Sequence, residues 1–228
     1  MAYGLANRGA GYLKHARKLL VRSFDWSGKN RSVRRLFLEH ALLISEVTTA
    51  VELACRAHPK LRFYLEAEMP LPEKSREKQN PFKWSVTLRR GVRVGVVPDR
   101  VFAVERESNE KTERVLFCLE ADRGTMPVKR SDERASSFAK KLSCYTASAD
   151  ADLPSELFGT KRMRVLTVTN TFDRLTHLRE AARGDGLRRG LFLFACADHF
   201  KDEIDPVADL LWSTPRGDAP VALFESVI

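Results

Sequence analysis

Apolar positions recur along this chain with two different periods. Between Leu36 and Ala57 they return every three or four residues, through Leu36, Leu43, Val47, Ala50 and Ala54, with His40 on the same stripe. That period predicts one long amphipathic helix, which Pro59 closes. Beyond it the apolar runs are short, and they predict strands at Leu61–Glu66, Phe82–Leu88, Val92–Val97, Val101–Glu105 and Val115–Leu119. Gly91 marks a turn into the Val92 run, Glu107–Glu113 is a polar turn, and Pro70–Pro81 reads as a charged loop. Ser131–Ala149 predicts a second helix with Ser131 or Asp132 as its N-cap. Pro154 and Gly159 bracket a loop. Met163–Thr169 predicts a buried strand, Thr171–Arg183 a helix, Gly184–Gly190 a loop and Leu191–Ala197 a strand. Ile204–Trp212 reads as a short helical piece and Val221–Phe224 as a last edge strand.

The order is helix, several strands, helix, strand, helix, strand. A strand meander followed by crossovers predicts an α/β sandwich with a mixed central sheet. At 228 residues there is chain for one sizeable core and a small appendage. The division expected is a basic N-terminal segment, residues 1–35, and a main domain, residues 36–228. Ala2–Ala10 looks like a last strand and a turn into a helix over Gly11–Val21. Winged-helix domains often end in that way, which would make the chain the later part of a longer ancestor. An irregular N-terminal arm is the alternative.

Charge adds a partner class. Lys and Arg number 39 against 30 Asp and Glu, a formal net charge of +9. Such a balance favours anionic partners, nucleic acid before a membrane surface, and equally fits a plain solvated basic face. The basic residues gather between Lys14 and Arg35, where Arg17, Lys18, Arg22, Arg31, Arg34 and Arg35 are candidate phosphate contacts. Four cysteines (Cys55, Cys118, Cys144 and Cys196) stand singly in apolar runs, without metal spacing. With no signal-peptide core and no membrane-length apolar run, a reducing cytoplasm is the expected location.

The candidate chemistry lies between Val92 and Asp122. Side chains alternate on a strand, so Glu120 and Asp122 share a face, and Asp99, following Pro98, can lie beside them if its strand pairs with theirs. Three gathered carboxylates repel one another and lose solvation, and a divalent cation relieves both problems. The rival readings are a turn role for Asp99 and salt bridges from Glu120 and Asp122 to Arg123, Lys129 or Arg130. Other chemistries lack their parts. Gly184-Asp185-Gly186 has no following Lys-Ser/Thr, no serine sits in a nucleophile elbow, and no His-x-His pair accompanies a tyrosine nucleophile.

The αβββαβ order with Pro98-Asp99 and Glu120-x-Asp122 resembles the PD-(D/E)XK nuclease fold, a restriction-endonuclease-like sandwich. Asp122 stands where that family has its lysine, and the lysine sometimes moves to the following helix, where this chain offers Lys140 and Lys141. Lys141 and Tyr145 are four apart and so share a helix face. More narrowly, Val97-Pro98-Asp99, Phe117 through Thr125, Lys141 through Tyr145 and Arg164–Thr169 together resemble the replication-relaxation family, linked with plasmid replication and DNA relaxation. The resemblance implies Mg²⁺ or Mn²⁺ held by Asp99, Glu120 and Asp122, with Lys141 and Tyr145 assisting, and Arg123 on a phosphate. Glu39 or Glu46 would be a further acid nearby. It implies DNA as partner, with no membrane, and leaves room for a homodimer or other replication and mobilisation proteins. A non-catalytic DNA-binding module on the same fold, or a protein-interaction subunit, would carry the same residues.

Overall fold

The computed structural model describes residues 7–16, 35–88, 91–108, 111–129, 136–184, 187–188, 190–201, 204–217 and 219–224. The chain divides into two compact units, Met1–Leu42 and Leu43–Ile228. In the first, helix α1 covers Asn7–Ala16, beginning four residues before the Gly11–Val21 expected, of which residues 17–21 lie outside the described residues. Helix α2, Arg35–Ala57, runs on into the second unit. Of the basic candidates, Arg17, Lys18, Arg22, Arg31 and Arg34 lie outside the described residues, as does the side chain of Arg35.

A five-stranded mixed sheet is the frame of the second unit. Its strands are β1 (Leu61–Leu65), β4 (Arg100–Ser108), β5 (Lys111–Asp122), β6 (Arg162–Thr169) and β7 (Phe192–Cys196), side by side in that order. β1, β4 and β5 form an antiparallel meander. Helix α4 (Phe138–Asp150) then carries the chain across one face, so that β6 returns parallel to β5. Helix α6 (Phe172–Ala181) makes the second crossover, to β7. The strands β2 (Trp84–Thr87) and β3 (Arg93–Val96) stand apart as a two-stranded sheet of their own. The Val92–Val97 run is thus a strand, but it does not join the strands that bear the acids; the run after Pro98 does.

Burial on both faces explains the continuous apolar reading of β5, β6 and β7. Leu116, Cys118, Val165 and Phe194 point to the face covered by Leu142 and Tyr145 of α4. Phe102, Phe117, Leu119 and Leu166 point to the other, covered by Val47, Val51 and Cys55 of α2. Among the described residues, no helix is long and apolar enough to cross a membrane.

Local chemistry moves several boundaries. Helix α4 starts at Phe138, because the Ser137 hydroxyl accepts the Lys140 N–H as N-cap; the proposed caps Ser131 and Asp132 lie outside the described residues. The stretch bracketed by Pro154 and Gly159 is a short helix, α5 (Leu153–Phe158): Pro154 tolerates a first-turn position and Gly159 ends it at φ 69°. A single turn, α3 (Glu73–Arg76), interrupts the Pro70–Pro81 loop. Ile204–Trp212 is a series of turns instead of a helix, held where Asp205 Oδ1 accepts the N–H groups of Val207 and Ala208. Val221 contributes only an isolated bridge to Trp212.

Candidate functional site

Antiparallel pairing of Arg100 with Leu119 brings the residue before Arg100 alongside Glu120. That residue is Asp99. Its N–H donates to the Leu119 carbonyl at 3.1 Å, and its Oδ2 accepts the Ala121 N–H at 2.9 Å. The two backbone contacts straddle Glu120 and fix the Asp99 carboxylate at the end of the meander.

Glu120 is 4% exposed and sits on the α4 face of β5. Two side chains from one face of α4 reach it. Lys141 Nζ lies 2.5 Å from Oε2, and Tyr145 Oη donates to Oε1 at 2.5 Å. Their four-residue separation makes this convergence possible. Burial lifts the Glu120 carboxyl above its ordinary value; Asp99 adds to the rise and Lys141 opposes it. Burial works against the Lys141 ammonium, but Glu120, Asp99 and Asp122 outweigh it, so its pKa is raised and the charge persists. Burial and the Glu120 charge push the Tyr145 phenol well up, so it serves as a neutral donor.

Asp122 shares the face but has a different partner. Arg174 of α6 grips it with both ends of the guanidinium, Nε to Oδ1 at 2.8 Å and Nη2 to Oδ2 at 3.0 Å. The Gly124 N–H donates to Oδ1 as well, at 2.8 Å, and Arg174 Nη2 reaches the Met126 carbonyl at 2.6 Å. Asp122 thereby ties the exit of β5 to the start of α6. Its cation among the described residues is Arg174; Arg130, one of the cations expected, lies outside them. Glu120 and Asp122 are thus held by different cations, Lys141 and Arg174. Among the described residues, no set of three or more His, Cys, Asp or Glu side chains is placed to hold a metal ion.

Two site residues carried no signal in the sequence reading. Arg174 is 52 positions from Asp122 and meets it only through the α6 crossover. Thr167 is the register partner of Glu120 on β6; it is fully buried, and its hydroxyl finds no hydrogen-bond partner among the described residues. Parallel register and side-chain alternation together could have nominated Thr167, had the pairing been known. Arg123 follows directly, half-buried at the strand exit. Glu46 is exposed on α2, which packs on the opposite face of the sheet, so it is no neighbour of Glu120. Glu39 belongs to the other compact unit.

A deep carboxylate, a second carboxylate beside it, an ammonium and a phenol thus converge at one end of the sheet. This set can bind a cation or hold a proton, and the ammonium can face an anion. A model of a family described as replication-relaxation matches residues 1–153 of the 228. No curated protein and no solved structure matches the chain.

Proposed function

The chain belongs to the replication-relaxation family, and on that premise we propose that it processes DNA in plasmid or mobile-element replication or relaxation by metal-dependent phosphodiester cleavage. The observation that carries this reading is the meeting of Asp99, Glu120 and Lys141 at the junction of β4, β5 and α4. The element order α2, β1, β4, β5, α4, β6, with β5 and β6 parallel, supports a restriction-endonuclease-like arrangement. The β2–β3 hairpin would then be an insertion ahead of β4.

The donors suit a hard cation such as Mg²⁺ or Mn²⁺: two carboxylates, with a buried unpartnered Thr167 hydroxyl beside them to accept or donate to a water. Asp99 and Glu120 would hold the ion; Asp122, gripped by Arg174, would instead brace the strand end. A bound ion would supply charge neutralisation at the phosphate and acidify an attacking water. Lys141 is the group that faces the phosphate. Its persistent positive charge stabilises negative charge growing on the phosphoryl oxygens. Tyr145 holds Glu120 in one rotamer, so the carboxylate does not swing when Lys141 turns to an anion. Arg123, next along the chain, would contact a neighbouring phosphate.

A second reading has its own support. Both oxygens of Glu120 and both of Asp122 already have protein donors, so the acids are satisfied without any ion. On that reading the chain binds DNA without cutting it. Nicking of supercoiled plasmid in Mg²⁺ or Mn²⁺ separates the two. Cleavage by the wild type, abolished in Asp99→Asn and in Glu120→Gln while DNA binding persists, supports the enzyme. Cleavage that survives both changes, or is absent in the wild type with either ion, refutes it.

A further inference from the structure

At the other end of β6 from Thr167 lies a cleft of about 220 Å³ with a different character. It opens where β6 and β7 begin, far along the strand from the carboxylates: Val115, in its wall, precedes Glu120 by five residues, roughly 17 Å of strand. Lys161, Arg162, Arg164 and Arg188 line it, and no carboxylate does so among the described residues. Its volume is well above the roughly 10–15 Å³ that one water needs, so a hydrated or partly stripped anion fits.

The neighbouring bonds orient these cations, and two of them, Arg162 and Arg188, also have a carboxylate in reach. Arg188 Nη1 donates to the Ala149 carbonyl at 2.9 Å, and Asp150, 3.6 Å away, is itself largely exposed. Arg164 Nη1 donates to the Leu223 carbonyl at 2.6 Å. Arg162 is ion-paired with Glu113, which also takes Arg106 at 3.1 Å, so one carboxylate serves two guanidiniums. A carbonyl anchor fixes the direction of the Arg188 guanidinium, and planar guanidiniums match phosphate oxygens. Met163 and Leu191, both buried, add apolar surface to its lining.

We propose that this cleft binds a phosphate group, as a second anion site separate from the Glu120 cluster. None of the carboxylate residues takes part in this site, which would bind phosphate whether or not the protein cuts DNA. A phosphodiester of a nucleic-acid backbone and a free phosphate share the chemistry, and the test tells them apart. The variants are Lys161→Gln/Arg188→Gln and, with a single exposed change, Lys161→Glu; thermal unfolding checks that each is folded. One arm measures DNA affinity against salt concentration. If the source is DNA, the double variant weakens binding several-fold and lowers the salt slope by about two, one for each lost contact. The second arm titrates inorganic phosphate by calorimetry. If the source is free phosphate, the wild type binds it, the variants do not, and the DNA slope is unchanged. Unchanged DNA slopes together with no variant-sensitive phosphate binding overturn the proposal.

Discussion

Lys141→Met in metal-free buffer probes the centre of the site. The change keeps an unbranched side chain one atom shorter and removes the charge and its hydrogen bond. Glu120 then remains at 5% side-chain exposure with the Tyr145 hydroxyl still donating to it. Breaking a fully buried pair costs about 3–5 kcal/mol, but the Lys141 side chain is 37% exposed, and water already screens the pair. The expected loss at pH 8 is therefore about 2–3 kcal/mol by urea denaturation with EDTA. For a unit of this size that lowers Tm by roughly 5–10 °C. The loss depends on pH. Burial already raises the Glu120 carboxyl above its ordinary value of 4.5, and removing the opposing Lys141 raises it further. An acid raised in the folded state binds protons more tightly there than when unfolded, so stability falls as pH rises from its ordinary value to its folded one. The deficit of Lys141→Met against wild type is thus smaller at pH 5 than at pH 8. A variant as stable as wild type at pH 8, or a deficit equal at both pH values, would refute the picture of a buried carboxylate held ionised by Lys141.

Arg174→Met should destabilise the fold by about 3–5 kcal/mol in the same assay, because both partners are well buried and Asp122 loses two contacts at once. Adding Asp122→Asn should restore much of that loss, and failure to do so would mean that Arg174 acts through other contacts. Asp205 tests the C-terminal turns by pH. Burial works to raise its carboxyl, but the N–H groups of Val207 and Ala208 and the His58 imidazole outweigh that and hold it below its ordinary 3.8. Its stabilisation is present above that value and lost as pH falls through the lower folded one. Asp205→Asn should be less stable at pH 6 and flatten acid unfolding below about pH 4, as read by circular dichroism.

Much of this fold is legible in the chain because its signals are local. The α2 stripe, the turn glycine at Gly91 and the buried runs of β4 to β7 are each set by neighbouring residues. The site is legible in part: alternation puts Glu120 and Asp122 on one face and the four-residue spacing puts Lys141 and Tyr145 together, but which face of the sheet α4 covers is set by the crossover. What failed was long-range. Whether the Val92–Val97 run joins the main sheet depends on where Trp84 and Val86 bury, and they pack with Val96 against α4 residues such as Tyr145. The Asp122–Arg174 grip needs a crossover that no local pattern encodes. Ile204–Trp212 has helical spacing, yet Asp205 captures the following N–H groups in a turn, which is how aspartate competes with helix.

Cation binding is the most direct test of the account. Mn²⁺ titration of the wild type, followed by electron paramagnetic resonance, should show saturable binding that weakens sharply in Asp99→Asn and in Glu120→Gln. Binding should also tighten as pH rises through the raised Glu120 value, since the ion displaces a proton. Equal Mn²⁺ binding by wild type and both variants, or none by the wild type, would contradict a cation site at the junction of β4, β5 and α4.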